Sequence, residues 1–198
     1  PDAARSALTK AETVFQGLQD QQGHAETLLA LGMLEHQLDR NNEAREAFIG
    51  ARLLFKAAND RQGEANTLLN LAELEKKMDR NTEARIALRD SRLLYQHLRD
   101  RLGEANTLTA LGELDARMGR TNEARTAFDE ARTLFASLED RPGIASVLVN
   151  LGQVEEHLGH NDDARRYYGE AIQIYSAIED LRGQATVLNH LGNLEKIL

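Results

Sequence analysis

Residues 63–95 read GEANTLLNLAELEKKMDRNTEARIALRDSRLLY, and forty residues further on the chain says nearly the same thing, GEANTLTALGELDARMGRTNEARTAFDEARTLF. A step of forty carries Gly23 to Gly63, Gly103, Gly143 and Gly183. It also carries Ala25 to Ala65, Ala105, Ala145 and Ala185, and Leu31 to Leu71, Leu111, Leu151 and Leu191. A second set recurs with the same step: Ala44, Ala84, Ala124 and Ala164, then Phe48, Leu88, Phe128 and Tyr168, then Phe55, Tyr95, Phe135 and Tyr175. Self-similarity at a fixed period of this length marks a stacked-repeat architecture. One unit cannot bury its apolar face alone, and neighbouring copies build a continuous core.

Within a unit, Leu68, Leu71, Leu74 or Glu75, and Met78 fall at three- and four-residue steps, which places them on one face of a helix, helix A. Ala84, Leu88, Ser91, Leu94 or Tyr95, and Leu98 define a second, helix B. Asn42, Thr82, Asn122 and Asp162, each followed by an acid, are the expected N-caps of helix B. Asp60, Asp100, Asp140 and Asp180 are those of helix A, with Pro142 in a first turn where its missing N–H costs little. Each helix is about 17 to 19 residues, or about 26 to 28 Å. Two prolines in 198 residues, 41% hydrophobic and 28% charged, fit helix throughout and no sheet.

Asp2, Ala4 and Arg5 occupy the slots of Asn42, Ala44 and Arg45, and Leu198 that of Met78. The expected organisation is therefore one solenoid of ten helices: a lone helix B over 1–20, full repeats over 21–60, 61–100, 101–140 and 141–180, and a lone helix A over 181–198. Unpaired helices at both ends suggest head-to-tail self-association.

The net charge of −8 argues against nucleic acid or an anionic membrane as the main partner, since both need a basic surface. The absence of cysteine removes thiolate chemistry and fits a reducing, cytoplasmic compartment. No apolar run reaches the length of a membrane span or signal core. There is no phosphate-binding glycine loop, nucleophile elbow or zinc-protease motif. The expectation is no enzyme, no cofactor and no metal. His157 and His160, just after Glu155 and Glu156, are the closest histidine pair, but their slots in other repeats hold glutamine, lysine and arginine, so they read as solvated side chains.

Glu35, Glu75, Asp115, Glu155 and Glu195 form a column of acids. The first four are each followed ten residues later by Arg45, Arg85, Arg125 or Arg165. A carboxylate beside a guanidinium stays ionised, so these read as structural ties, and Arg85→Ala is expected to lower stability without touching ligand affinity. The aromatic slots read as core, and Tyr167, one residue off register, as exposed.

Leu28, Leu31, Gly32, Ala44, Phe48 and Ala51, and again Leu148, Leu151, Gly152, Ala164, Tyr168 and Ala171, resemble the pattern of the tetratricopeptide repeat family. The resemblance runs along essentially the whole chain. It departs from the family in the acid that replaces a helix A aromatic, and in a unit of forty residues instead of thirty-four. The longer unit is similar to Partner-of-Inscuteable-type adaptors and bacterial regulatory arrays. The resemblance implies an all-α solenoid, a right-handed superhelix of antiparallel helix A/helix B hairpins. It further implies a non-catalytic interaction scaffold that binds an extended or helical peptide in a concave groove lined by helices A.

Mapped onto this chain, that groove holds Leu29 and Met33; Asn66, Leu69, Asn70, Glu73 and Lys77; Asn106, Thr109, Glu113 and Arg117; Asn150 and Gln153; and Asn189 and Asn193. Side-chain amides both donate and accept, so a row of asparagines can grip a peptide backbone. Leu29, Met33 and Leu69 would form an apolar pocket, and Lys77 and Arg117 could receive an acid. The family's carboxylate clamp for chaperone tails is not expected, because its lysine slot holds Leu29, Leu69, Thr109, Val149 and Asn189. The alternative is a sensor or autoinhibitory array of a larger signalling ATPase or transcription regulator.

Overall fold

The computed structural model describes residues 2–197. Leu198, assigned above to the slot of Met78, lies outside them. The described residues form ten α-helices and no strand: α1 (Asp2–Leu18), α2 (Gln21–Gln37), α3 (Asn41–Ala57), α4 (Arg61–Lys77), α5 (Asn81–Leu98), α6 (Arg101–Arg117), α7 (Thr121–Ser137), α8 (Arg141–His157), α9 (Asn161–Ala177) and α10 (Leu181–Ile197). They divide into two compact units, 1–100 with α1 to α5 and 101–198 with α6 to α10. In the first, α2 pairs with α3 and α4 with α5 as hairpins, α3 packs on α4, and α1 lies against α2. In the second, α6 pairs with α7 and α8 with α9, while α7 packs on α8 and α9 on α10.

The core of each unit is the repeated apolar set. In the first unit Ala44, Phe48, Leu71 and Leu74 cluster, with Leu29, Ile49 and Met78 against them. Ala25, Ala51 and Phe55 form a second cluster, with Leu28, Leu29 and Leu54. In the second unit Leu108, Leu114, Phe128, Leu148, Leu151 and Tyr168 are buried. Each fully buried leucine contributes about 2 kcal/mol of transfer free energy.

Close approach of the paired helices is size-matched. A Cβ on Gly112 would lie 2.5 Å from a ring carbon of Phe128, and one on Gly152 would lie 2.4 Å from a ring carbon of Tyr168. Where the partner slot holds the smaller Leu88, the glycine slot holds Ala72 instead, and both are fully buried. Atoms removed from one helix are returned by the other, as close packing requires.

Of the expected caps of helices A, those of Asp60, Asp140 and Asp180 are formed, and Asp20 supplies another. The carboxylates of Asp20, Asp60, Asp140 and Asp180 accept from the N–H of Gly23, Gly63, Gly143 and Gly183 at 3.0, 2.8, 3.0 and 2.9 Å, and Pro142 sits in the first turn of α8. Helices B differ from expectation. They start two residues earlier, and the N-cap positions are Arg40, Arg80, Arg120 and His160, none with a side-chain capping bond. Asn42, Thr82, Asn122 and Asp162 therefore lie inside the first turn and are not caps. Their neighbouring acids, such as Glu43 and Glu83, face the helix N-terminus and complement its dipole.

The chain reverses tightly before each helix B. Asp39, Asp79, Gly119 and Gly159 adopt φ of 59, 60, 71 and 76°, and the next N–H returns to the preceding helix, as in Arg80 N–H to the Glu75 carbonyl at 2.8 Å. This turn sends the Arg80 side chain toward the Glu75 carboxylate.

Glu35, Glu75, Asp115 and Glu155 of the acid column are buried, whereas Glu195 is 57% exposed, and the principal partners of these acids are not the arginines ten residues on. Glu75, 2% exposed, has Arg45 Nε 2.6 Å away, thirty residues earlier, and Arg80 at 3.7 Å. Glu35 has Arg5 at 2.8 Å and Arg40 at 3.2 Å, and Glu155 has Arg125 at 3.0 Å and His160 at 2.8 Å. Glu35, Glu75 and Glu155 are thus each held by the preceding helix B and by the turn that follows. Tyr167 also departs from expectation: it is buried, with the Arg166 guanidinium 4.4 Å above its ring.

Candidate functional site

The residues of helices A that vary from repeat to repeat share one face, on the far side of the helix from the acid column and the core stripe. In the first unit this face holds Leu29, Met33, Asn66, Leu69, Asn70, Glu73 and Lys77. Leu29 is half-buried and packs into both core clusters, and Leu69 is half-buried, whereas Met33 is exposed. Most of the polar members are already oriented by neighbours. The Asn66 side-chain carbonyl accepts from Tyr95 Oη at 2.6 Å and from Gln62 at 3.4 Å. Asn70 Nδ2 donates to the Asn66 backbone carbonyl at 2.9 Å. Glu73 accepts from Lys76 at 2.5 Å. Lys77 donates to Asp39 in the turn after α2, the preceding helix A, and that bond and charge hold the Asp39 carboxyl below the usual carboxylate range.

In the second unit, Asn106 is exposed, and the Thr109 hydroxyl donates to the Ala105 carbonyl at 3.0 Å. Asn150 Nδ2 donates to Glu113 Oε1 at 3.3 Å, bridging α8 to α6. Gln153 Nε2 lies 3.1 Å from His190 Nε2, bridging α8 to α10. The His190 ring stacks on Tyr168, with centroids 5.5 Å apart and planes 16° from parallel. Tyr168 Oη donates to Glu156 at 2.7 Å. Burial first, and then that carboxylate, push the Tyr168 phenol well above its ordinary range.

Four of the expected residues converge. Glu113, Arg117, Asn150 and Gln153 line one cleft of about 460 Å³ between α6 and α8, together with Ala116, Gly119, Thr121, Phe128, Val154 and His157. Ala116, Phe128 and Val154 supply an apolar floor, and the charged and amide groups form a rim. Asn106, Thr109, Asn189 and Asn193 do not line it, and the latter two are exposed on α10. His157 is a lining residue that the sequence pattern missed. It falls four residues after Gln153 on the same helix face, and that spacing was the available signal. Thr121 and Phe128 carried no such signal, because Phe128 occupies a repeated core slot and only the packing of α7 brings its edge to the cleft.

Chemically, the cleft offers amides in fixed orientation, one carboxylate, one guanidinium and one imidazole around an apolar floor. This suits recognition of a polar backbone with an apolar side chain between its amides.

Family comparison agrees with this architecture. The tetratricopeptide repeat model matches residues 63–137 and 103–177, and the model of anaphase-promoting complex subunit 5 matches 13–63. No curated protein matches the chain. Among solved structures, aspartyl phosphate phosphatase F from Bacillus subtilis is 14% identical with a TM-score of 0.82, over 91% of this chain and 47% of that one. The Rap conjugation gene regulator of the plasmid pLS20, in complex with the Phr* peptide, is 18% identical with a TM-score of 0.68, over 91% and 52%. The signal transduction ATPase with numerous domains from Pyrococcus horikoshii, which has a tetratricopeptide repeat sensor, is 15% identical with a TM-score of 0.79, over 85% and 26%. This chain thus spans about half or less of the length of these proteins, with which it shares the fold.

Proposed function

Because the chain belongs to the tetratricopeptide repeat family, we propose that it is a non-catalytic interaction scaffold that holds an extended or helical peptide segment on the helix A faces of its repeats. The convergence of Glu113, Arg117, Asn150 and Gln153 on one cleft carries this reading. Asn150 and Gln153 are pre-oriented by Glu113 and His190, so less side-chain freedom is lost when a peptide backbone is met. The apolar floor accepts one side chain of the partner, and Arg117 an acid. Asn106, Thr109, Asn189 and Asn193 extend the surface in this unit. Leu29, Met33, Asn66, Leu69, Asn70, Glu73 and Lys77 form the corresponding surface of the other. The complex of the pLS20 regulator with a peptide supports the class of partner.

The partner is a protein segment in a reducing, cytoplasmic setting. Nucleic acid and anionic membrane are disfavoured by the net charge of −8. Among the described residues no helix is long and apolar enough to cross a membrane.

The test is a peptide-display selection against the chain beside an Asn70→Ala, Asn150→Ala variant confirmed folded by circular dichroism. A consensus peptide that the variant loses supports the reading. A consensus bound equally by both would move the site elsewhere.

A second reading, a sensor array within a larger signalling ATPase, is favoured by the fold shared with the Pyrococcus horikoshii protein. A phosphate-binding loop encoded upstream would support it. Self-association is the third element of the proposal. Leu188 on α10 is 57% exposed whereas its counterpart Leu148 is 2% exposed, and α1 has no buried residue. A second copy would cover these faces, and a strictly monomeric species at millimolar concentration would refute this.

A further inference from the structure

The fourth full repeat breaks a rule that the others keep. In the turn after each buried acid the residue is arginine, Arg40, Arg80 or Arg120, and its guanidinium lies 3.2, 3.7 or 3.7 Å from the acid. After Glu155 it is His160, whose Nδ1 is 2.8 Å from Glu155 Oε2. Arginine carries a permanent charge and no lone pair, whereas neutral imidazole offers a lone pair to a metal. The following turn adds Asp163, so that one ligand atom from each of Glu155, His160 and Asp163 lies within 4.8 Å of the other two.

We propose that Glu155, His160 and Asp163 form a binding site for a divalent transition metal of the zinc class. Metal–ligand bonds of about 2.0–2.2 Å place the donors of one ion about 3 to 4 Å apart, so His160 Nδ1 and Glu155 Oε2, now 2.8 Å apart, would open slightly around an ion while Asp163 moves in. The anchor is rigid and the other two donors can adjust: Glu155 is 1% exposed, while His160 and Asp163 are exposed. Arg125 Nε lies 3.0 Å from Glu155 Oε1 but makes no aligned hydrogen bond to it, which leaves this buried oxygen without a hydrogen-bond partner. Oε2 is the oxygen turned to the histidine.

Charge narrows the metal. The Glu155 carboxylate is matched by Arg125, and Asp163 Oδ1 accepts from Arg166 at 3.0 Å. Two carboxylates balanced by two guanidinium groups do not attract a hard cation strongly, and calcium or magnesium would ask for more oxygen donors than are present. The imidazole nitrogen decides affinity, which favours zinc, nickel or copper. Sequence pattern pairs His160 with His157, but the structure separates their roles, since His157 lines the peptide cleft and His160 faces Glu155.

Titration of the untagged chain with zinc chloride by calorimetry, at neutral pH, tests the assignment. His160→Arg installs the residue that the other repeats carry and so retains the fold, and its thermal midpoint without metal is expected to match or exceed that of the parent. Zinc is expected to bind the parent at one site, to bind His160→Arg at least tenfold more weakly, and to bind Asp163→Asn more weakly than the parent. His157→Gln is expected to bind as the parent does, and a hundredfold excess of magnesium is expected to leave the isotherm unchanged. Zinc should raise the thermal midpoint of the parent and not that of His160→Arg. Absence of binding by the parent, equal binding by His160→Arg, or displacement by magnesium would each overturn the proposal.

Discussion

Arg45 reaches thirty residues along the chain to place its Nε 2.6 Å from Oε1 of Glu75, a carboxylate that is 2% exposed. The bond joins helix B of one repeat to helix A of the next, so it ties neighbouring hairpins where apolar packing alone would let them slide. Removing the guanidinium leaves the carboxylate with Arg80, which is more distant at 3.7 Å. Arg45→Ala is expected to lower stability by about 1–3 kcal/mol, the upper end being limited by the partial solvation of the arginine. Urea denaturation checks this. A change below a few tenths of a kcal/mol would show that water replaces the pair.

The matched sizes at the helix crossing predict a compensating double substitution. Gly112→Ala forces a methyl toward the buried Phe128 ring, which must shift to admit it, and is expected to cost about 1–3 kcal/mol. Adding Phe128→Leu recreates the Ala72 and Leu88 pair of the preceding repeat and should recover part of that loss. A strictly additive double variant in thermal or urea unfolding would contradict the size-matching argument.

Capping separates the two kinds of helix start. Asp60→Ala removes the acceptor of the Gly63 N–H and should destabilise by about 1 kcal/mol. Asn42→Ala, at a position inside the first turn of α3, should change stability by less than about 0.5 kcal/mol. Equal effects in urea unfolding would return Asn42 to a capping role.

Three phenols are held neutral. Burial, with Asp100 as the lesser cause, pushes Tyr95 up to about 12, and burial also raises Tyr168 and Tyr175, helped by Glu156 and Asp180 respectively. A folded value above the unfolded one, near 10, contributes stability that is fully present below about pH 10 and is lost as pH rises through the folded value. Tyrosinate absorbance should therefore lag that of the denatured chain, and Tyr95→Phe should reduce the alkaline loss of stability between about pH 10 and 12. Titration of all tyrosines together near pH 10 in the folded protein would refute this.

The forty-residue period, the ten helices, the apolar face of each helix, the aspartate caps of helices A and the buried aromatic slots were legible in the sequence. These features depend on local spacing: the 3.6-residue turn of a helix and the reach of one side chain to its own backbone. Tertiary structure alone decided which arginine meets which acid. Glu75 takes Arg45 from thirty residues earlier because packing, not chain distance, sets its neighbours. The same packing buries Tyr167 and draws Arg40 and Arg80 to the acids instead of leaving capping to Asn42 and Thr82. It also brings Phe128 and His157 to the cleft with Glu113, Arg117, Asn150 and Gln153, and turns His160 onto Glu155 and Asp163. A repeat pattern specifies which faces must be covered, whereas the charges and rings at each covering contact are matched only when the helices of neighbouring repeats come together.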